Sequence, residues 1–288
     1  MPPTTPTSSR NGMSYVEIGV SDLERSLDFY CGPLGLRPAD EPPEPPPGLG
    51  GLGGAPSAPG VHWLDAGGAL VKLVRAAEGS TLGGWSGDDL QRGIRHFGLK
   101  VGDVHRRAER LRDAGVTFTL GPLVAVGDVT IAFFRDPDGT LLEIIDGHLT
   151  YHEVFDETLA AREAEAAAAR PPDAGPVFDH VAVTVADLDT TLAFYRDRLG
   201  YRLIGRLDHT ADPRGFVIHY LQAGPAVLEV FTFATPTTPP PAPDPDDRLG
   251  LRSIGLRDDP GRLGGTLGGD PRRLADPDGV PLRLVAAR

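Results

Sequence analysis

The segment YVEIGVSDLERSLDFY (Tyr15–Tyr30) has a counterpart further along the chain, HVAVTVADLDTTLAFY (His180–Tyr195). In both segments an alternating apolar pattern predicts a strand, and an Asp-Leu pair then begins a helix with Leu and Phe-Tyr on one face. A repeat of this length in one register indicates duplicated domains, whose positions can be compared one by one. The copies differ where chemistry is expected, because Tyr15 holds the place that His180 has in the second copy.

The repeat also sets the domain organisation. A chain of 288 residues accommodates one large domain or two ordinary ones, and the duplication favours two. We predict a disordered leader over 1–12, a first domain over 13–150, a helical linker over 151–176 and a second domain over 177–288. The linker prediction depends on DETLAAREAEAAAAR (Asp156–Arg170), a strong helix former.

Composition excludes several classes of partner. A formal net charge of −12 argues against nucleic acid or an anionic membrane surface. The single cysteine, Cys31, excludes an internal disulfide and fits a reducing cytoplasm. No stretch reaches the ~18 consecutive apolar residues of a membrane-spanning helix, and the N-terminal residues lack a signal-peptide core. We expect a cytoplasmic protein with a small-molecule partner, either a monomer (an internal pseudo-dimer) or a homodimer.

Each predicted domain subdivides into two modules of the order βαβββ. In the first domain the pattern restarts at HFGLKV (His96–Val101), and the tight turn DPDG (Asp136–Gly139) precedes its last strand. The second domain repeats this order, with its own DPDG at Asp276–Gly279. Its last module is shorter, so most of a helix and a strand are expected to be missing. The predicted fold class is α+β, with four βαβββ modules in two domains.

The module signature points to a known family. Paired modules that begin H-x-[apolar]-x-V-x-D-L…F-Y and end D-P-D-G-x-x-[apolar]-E resemble the vicinal oxygen chelate superfamily. That superfamily includes glyoxalase I, methylmalonyl-CoA epimerase, bleomycin-binding proteins and extradiol dioxygenases. The resemblance covers about 13–148 and 177–288 and implies two glyoxalase-like domains. It leaves function open, because this fold hosts isomerases, oxygenases and plain binding proteins.

In metal-dependent glyoxalase-like members, the resemblance implies four ligand positions: the first and last strands of one module, and the same places in a facing module. The second and third modules of this chain offer two histidines and two glutamates there: His96, Glu143, His180 and Glu229. The first and fourth modules offer residues that cannot form a conventional divalent-metal site: Tyr15, Lys72, Ser253 and Arg283. If the second and third modules face one another across the domain boundary, one intact site and one degenerate site result.

The implied ligand set fits a particular chemistry. Imidazole nitrogens with carboxylate oxygens suit one divalent ion of Zn, Ni, Co, Mn or Fe. The resemblance then implies a lyase or isomerase that acts on a small substrate with vicinal oxygens through an enediolate. Glu143 is the first candidate for the base and Glu229 the alternative. Glyoxalase I often has an arginine for glutathione four residues after the first ligand. Here that residue is Thr184, which argues against a glutathione hemithioacetal substrate.

Two other functions stay open. A metal-free binding protein, as in antibiotic sequestration, is consistent with the lost ligands of the degenerate site. An Fe(II) extradiol-type dioxygenase is disfavoured, because two-domain members of that family would place their ligands at His180, Ser253 and Arg283, and two of these cannot serve. A third arrangement, with His96, His180 and Glu143 as an iron triad, would need Glu229 to stand off the metal. A strand histidine or glutamate taken singly is more often an ordinary structural residue, so the metal prediction depends on the four together.

Several further residues have secondary predictions. We expect Lys72 to be paired with a carboxylate such as Glu17. His219 is predicted to face either the cavity or the opposite surface of its sheet. The other histidines are predicted to be solvated, in loops or on helix faces: His62, His105, His148, His152 and His209.

Overall fold

The computed structural model describes residues 12–40, 60–82, 87–240, 248–258 and 274–286. Residues 1–11 of the leader predicted over 1–12 lie outside the described residues, whereas Gly12 belongs to the first strand. The stretch 259–273, where a helix and a strand are predicted to be missing, also lies outside them.

The described residues form two sheets, one of which combines strands from the beginning and the end of the chain. Its strands are β1 (Gly12–Val20), β2 (Arg37–Pro38), β3 (Val61–Asp65), β4 (Leu70–Arg75), β14 (Gly250–Asp258), β15 (Leu274–Ala275) and β16 (Pro281–Ala286). They follow the order β15-β16-β14-β1-β4-β3-β2, with β1 antiparallel to β14 and parallel to β4. The first and fourth modules therefore share a sheet.

The other sheet is built from the middle of the chain. Its strands are β5 (Gly93–Lys100), β6 (Phe118–Val124), β7 (Thr130–Arg135), β8 (Leu141–Ile145), β9 (Glu153–Val154), β10 (Val177–Thr184), β11 (Arg202–His209), β12 (Phe216–Ala223) and β13 (Ala226–Phe233). They follow the order β6-β7-β8-β5-β10-β13-β12-β11-β9. Antiparallel pairing of β5 with β10 joins the second module to the third, which is the pairing that the ligand prediction requires.

The helices begin where the Asp-Leu and related signals predict. They are α1 (Leu23–Cys31), α2 (Val104–Asp113), α3 (Glu157–Ala168) and α4 (Leu188–Leu192), and a π-helical stretch over Ala193–Arg198 continues α4. Each begins after an aspartate whose side chain accepts a backbone N–H of the first turn: Asp22, Asp103, Asp156 and Asp187. The predicted linker supplies α3 and the edge strand β9, and the domain boundaries stay predictions. Within the described part of the chain, no helix has the length and apolar character needed to span a membrane.

The Phe-Tyr pair and the DPDG turn of each half of the chain are joined by a hydrogen bond. The hydroxyl of Tyr30, from the first Phe-Tyr pair, donates to Asp136 Oδ2 of the DPDG turn over 3.0 Å. Tyr195 donates to Asp276 Oδ2 in the same way over 2.9 Å. Each contact joins the two modules of one half of the chain, whereas the sheets join the two halves to one another.

Strand alternation separates the main core from the functional face. Val181 and Val183 on β10 belong to a hydrophobic core that also takes Val16 and Ile18 from β1, so it joins both sheets. Successive side chains of a strand point to opposite faces. His180 and Ala182 therefore lie on the other face of the nine-stranded sheet.

Candidate metal centre

The four predicted ligands lie on four neighbouring strands of the nine-stranded sheet. Glu143 is on β8, His96 on β5, His180 on β10 and Glu229 on β13. All four side chains are buried. Two come from each half of the chain, and the antiparallel pairing of β5 with β10 brings the two pairs together.

Their ligand atoms converge. Nε2 of His96 and Nε2 of His180 lie 3.2 Å apart, and Glu143 Oε2 lies 3.0 Å and 3.1 Å from them, respectively. Glu229 Oε1 lies 3.7 Å from Nδ1 of His180. Atoms of His96, His180 and Glu229 all fall within 4.8 Å of one another, close enough to hold one metal ion.

The backbone around His180 sets the direction of its ring. The pairing of β10 with β5 passes from Phe178 directly to His180, so Asp179 is the extra residue of a β-bulge. Asp179 Oδ2 accepts a hydrogen bond from His180 Nδ1 over 2.8 Å, which turns Nε2 toward His96 and Glu143. Such a carboxylate behind the imidazole is typical of metal-binding histidines. The ring lies over Gly98, where an added Cβ would sit 2.1 Å from His180 Cε1.

In the absence of a cation, the pKa values of the four predicted ligands are shifted in different directions. Burial lowers the pKa of His96 to about 4, so this imidazole is neutral. Burial opposes the charge of His180 too, but Glu229, Asp179 and Glu143 outweigh it and raise its pKa well above the ordinary value. Burial also raises the pKa of Glu229, to about 8, whereas the hydrogen bonds from His180 and His96 overcome burial and lower the pKa of Glu143 to about 2. A divalent cation would bind this set of imidazole and carboxylate donors by displacing the protons of His180 and Glu229.

The degenerate site (Tyr15, Lys72, Ser253 and Arg283) contains an internal ion pair. Lys72 Nζ lies 2.7 Å from Glu17 Oε2, and both side chains are buried, which confirms the predicted pairing. The Tyr15 ring lies over Gly255 as His180 lies over Gly98, so the two sites share a backbone plan. Ser253 and Arg283 belong to the seven-stranded sheet and His180 to the other. The dioxygenase ligand set within the second domain is therefore not assembled.

A pocket of about 440 Å³ opens onto the centre, and His96, Glu143 and Glu229 line its polar end. Arg95 also lines it, because Arg95 is the extra residue of a second bulge, opposite Ala182 and Val183. Most of the remaining lining is aliphatic or aromatic.

Comparison with known proteins identifies the family and the fold of the chain. The family model of the Glyoxalase/Bleomycin resistance protein/Dioxygenase superfamily matches residues 12–144 and 177–268. The chain belongs to this superfamily. Its tandem α+β fold confirms the predicted fold class, because the chain superposes on glyoxalase I from Zea mays with a TM-score of 0.63 at 19% identity, covering 96% of this chain and 92% of that one. A putative dioxygenase from Bacillus subtilis gives a TM-score of 0.59 at 16% identity, covering 96% and 85% of the two chains.

Relatives found by sequence similarity are named as lactoylglutathione lyases. The chain is 29% identical over 208 residues to lactoylglutathione lyase GLX1 of Arabidopsis thaliana, covering 70% of this chain and 59% of that protein. It is 33% identical over 135 residues to a probable lactoylglutathione lyase of Synechocystis, covering 44% of this chain and 89% of the relative. The chain thus spans less than two thirds of the Arabidopsis protein.

Some residues of this superfamily member lie where the sequence did not place them. His209, predicted to be solvated, lies at the end of β11, stacks on Phe216 at 4.4 Å between ring centroids and lines the pocket. That prediction is wrong, since β11 was not recognised. His219 faces away from the pocket, because its neighbours Ile218 and Tyr220 line it. Sequence reasoning also missed Asp179 and Arg95. The only signal for Asp179 was an aspartate directly before the histidine.

Proposed function

We propose that the protein is a divalent-metal-dependent lyase or isomerase of the glyoxalase or epimerase type, acting on a small substrate with neighbouring oxygens. The observation that carries this proposal is the convergence of two imidazoles and two carboxylates at the buried end of a pocket. The names of the relatives support the reaction class.

Four side chains, two from each half of the chain, would coordinate the ion. His96, Glu143, His180 and Glu229 would hold one ion of Zn, Ni, Co, Mn or Fe. When bound, the ion would supply Lewis-acid stabilisation of negative charge on a substrate oxygen. Asp179 would fix the tautomer and orientation of His180 through its 2.8 Å contact with Nδ1.

Of the two glutamates, Glu229 is the better candidate for the base that moves a carbon-bound proton. Glu143 Oε2 is held by both imidazoles, at 3.0 Å and 3.1 Å. Glu229 lines the same pocket but is held more loosely, 3.7 Å from His180 Nδ1. A carboxylate that can turn toward the substrate suits proton transfer, so we reverse the preference for Glu143 that the sequence suggested.

Metal analysis tests this proposal. Protein purified without added metal is expected to hold close to one divalent ion per chain, and a His96→Ala/His180→Ala double variant to hold none. The matched control is His148→Ala/His152→Ala, which removes two surface histidines whose side chains are 39% and 47% exposed. Absence of any ion after reconstitution with each of the five metals would overturn the proposal and leave a metal-free binding protein.

A further inference from the structure

We infer that the substrate of this site has an apolar body of about the size of one or two fused rings, and that it carries no glutathione arm. The inference deepens the proposed function and rests on it for the metal-binding head group alone. The inference is supported by the side chains that line the pocket apart from the four predicted metal ligands.

Beyond the polar end, most of the residues that line the pocket are apolar, and they come from several strands. Ile131 and Phe133 come from β7, Leu207 from β11, Ile218 from β12 and Phe231 from β13. These strands stand on both sides of the polar end. A volume of about 440 Å³ lies within the ~300–1,000 Å³ typical of small-molecule pockets. A substrate whose head group reaches the predicted metal ligands must therefore place the rest of its structure against apolar side chains. This favours a substrate with an apolar body.

Aromatic side chains make part of this wall suited to a ring. Phe216 and Phe231 are stacked, with their centroids 6.0 Å apart, and His209 continues the stack at 4.4 Å from Phe216. On the other side, Phe133 meets the His96 ring edge-on at 5.1 Å. Offset and edge-on contacts with such rings stabilise an aromatic guest beyond the area that it buries.

The cations of the pocket are already engaged. Among the described lining residues, Arg95 pairs with Asp89 Oδ1 at 2.5 Å and donates to Thr184 Oγ1 at 3.0 Å. Arg135 donates to the carbonyl of Gly139 at 2.6 Å. The hydroxyl of Thr184 in turn donates to the carbonyl of Asp89 at 3.1 Å. Thr184, at the position where glyoxalase I often has an arginine, is therefore hydrogen-bonded to residues of the pocket wall.

Glutathione would find few cationic partners here. The tripeptide carries two carboxylates at neutral pH, and burial of a carboxylate without a cationic partner is costly. Of the two arginines in the described lining, Arg95 is already paired with Asp89, which also pairs with Arg214. That leaves one lining arginine, Arg135, for two carboxylates.

A factorial binding experiment tests the inference on the metal-reconstituted protein. The probes are acetohydroxamic acid and 2-naphthohydroxamic acid, whose neighbouring oxygens can chelate a metal, and the matching acetamide and 2-naphthamide, which lack the chelating hydroxyl. Calorimetry is expected to show binding roughly tenfold or more tighter for naphthyl than for methyl in both series. S-Methylglutathione is expected not to compete with 2-naphthohydroxamic acid.

The two series separate the two claims. Hydroxamates that bind no better than amides would count against the proposed metal function, and the amides alone would still report the apolar preference. Equal binding of methyl and naphthyl probes, or competition by S-methylglutathione, would overturn the inference.

Two variants on the same strand give a matched comparison. Leu120 lines the pocket and is 47% exposed, whereas Val124 does not line it and is 65% exposed, so both tolerate a charge without disturbing the core. Leu120→Glu is expected to reduce the naphthyl preference several-fold, and Val124→Glu to leave it unchanged. An equal effect of the two substitutions would contradict the inference.

Discussion

At the scale of single residues, the contact between Asp179 and His180 decides which nitrogen faces the centre. The carboxylate accepts from Nδ1 over 2.8 Å, and Nε2 is thereby left to His96 and Glu143. An imidazole held in this way loses little orientational freedom when it binds an ion. The neighbouring residue is therefore as much a part of the candidate centre as the ligand.

Removal of this contact should weaken metal binding. Asp179→Asn is expected to lower the affinity for Zn²⁺ by about 10–100-fold while the fold is retained, because the neutral amide oxygen is a weaker acceptor for Nδ1–H than the carboxylate. A titration against a competing chelator measures the affinity. The matched control is Asp128→Asn, which removes the partner of His148 from a surface pair 3.2 Å apart and should leave the affinity unchanged.

Protons and metal should compete at neutral pH. Burial raises the pKa of Glu229 to about 8, and the surrounding carboxylates raise the pKa of His180 despite its burial. Both groups hold protons at pH 7 in the metal-free protein, and these must leave when an ion binds. Metal affinity should therefore rise between pH 6 and pH 8. Calorimetry in buffers of different ionisation enthalpy should show proton release, and a heat that does not depend on the buffer would contradict this.

At the scale of elements, two β-bulges and one glycine, Gly98, shape the candidate centre. The bulges at Asp179 and Arg95 let consecutive residues take part in one site, although strand alternation would separate them. The ligand identities were predictable, because the duplicated phrase fixes their places in each module. The bulges were not, because they depend on the register between β5 and β10, which come from opposite halves of the chain.

The glycines give a matched test through the internal duplication. A Cβ at Gly98 would lie 2.1 Å from His180 Cε1, and one at Gly255 would lie 2.0 Å from ring atoms of Tyr15. Gly98→Ala and Gly255→Ala should each lower stability by roughly 1–3 kcal/mol, measured by denaturant unfolding. Only Gly98→Ala should also lose metal. Equal metal content in the two variants would show that the His180 position is not critical.

At the scale of the whole molecule, the two sheets pair their modules in the same way but have different side chains at the equivalent site. In the nine-stranded sheet, His96, Glu143, His180 and Glu229 converge, whereas in the seven-stranded sheet Lys72 and Glu17 form a buried ion pair. The walls of the pocket come from β6–β8 and β11–β13, so its apolar character appears only when both halves are assembled. The sequence predicted the facing modules but not the pocket, because β11 escaped recognition and left His209 misplaced.

The buried ion pair of Lys72 and Glu17 is expected to affect the stability of the protein and not its metal content. Lys72→Met leaves Glu17 buried without its ammonium partner and is expected to cost about 3–5 kcal/mol of unfolding free energy. A second change, Glu17→Leu, should recover most of that loss. Metal content should stay constant in both variants, and a change in it would mean that the degenerate site contributes to binding.

In the proposed function, the two halves of one chain share a single metal centre. Native mass spectrometry of the protein and of two single variants, His96→Ala from the first half and His180→Ala from the second, distinguishes a shared centre from separate sites. We predict one divalent ion per chain in the unaltered protein and none in either variant. Two ions per chain, or an ion kept after loss of either histidine, would contradict the shared centre.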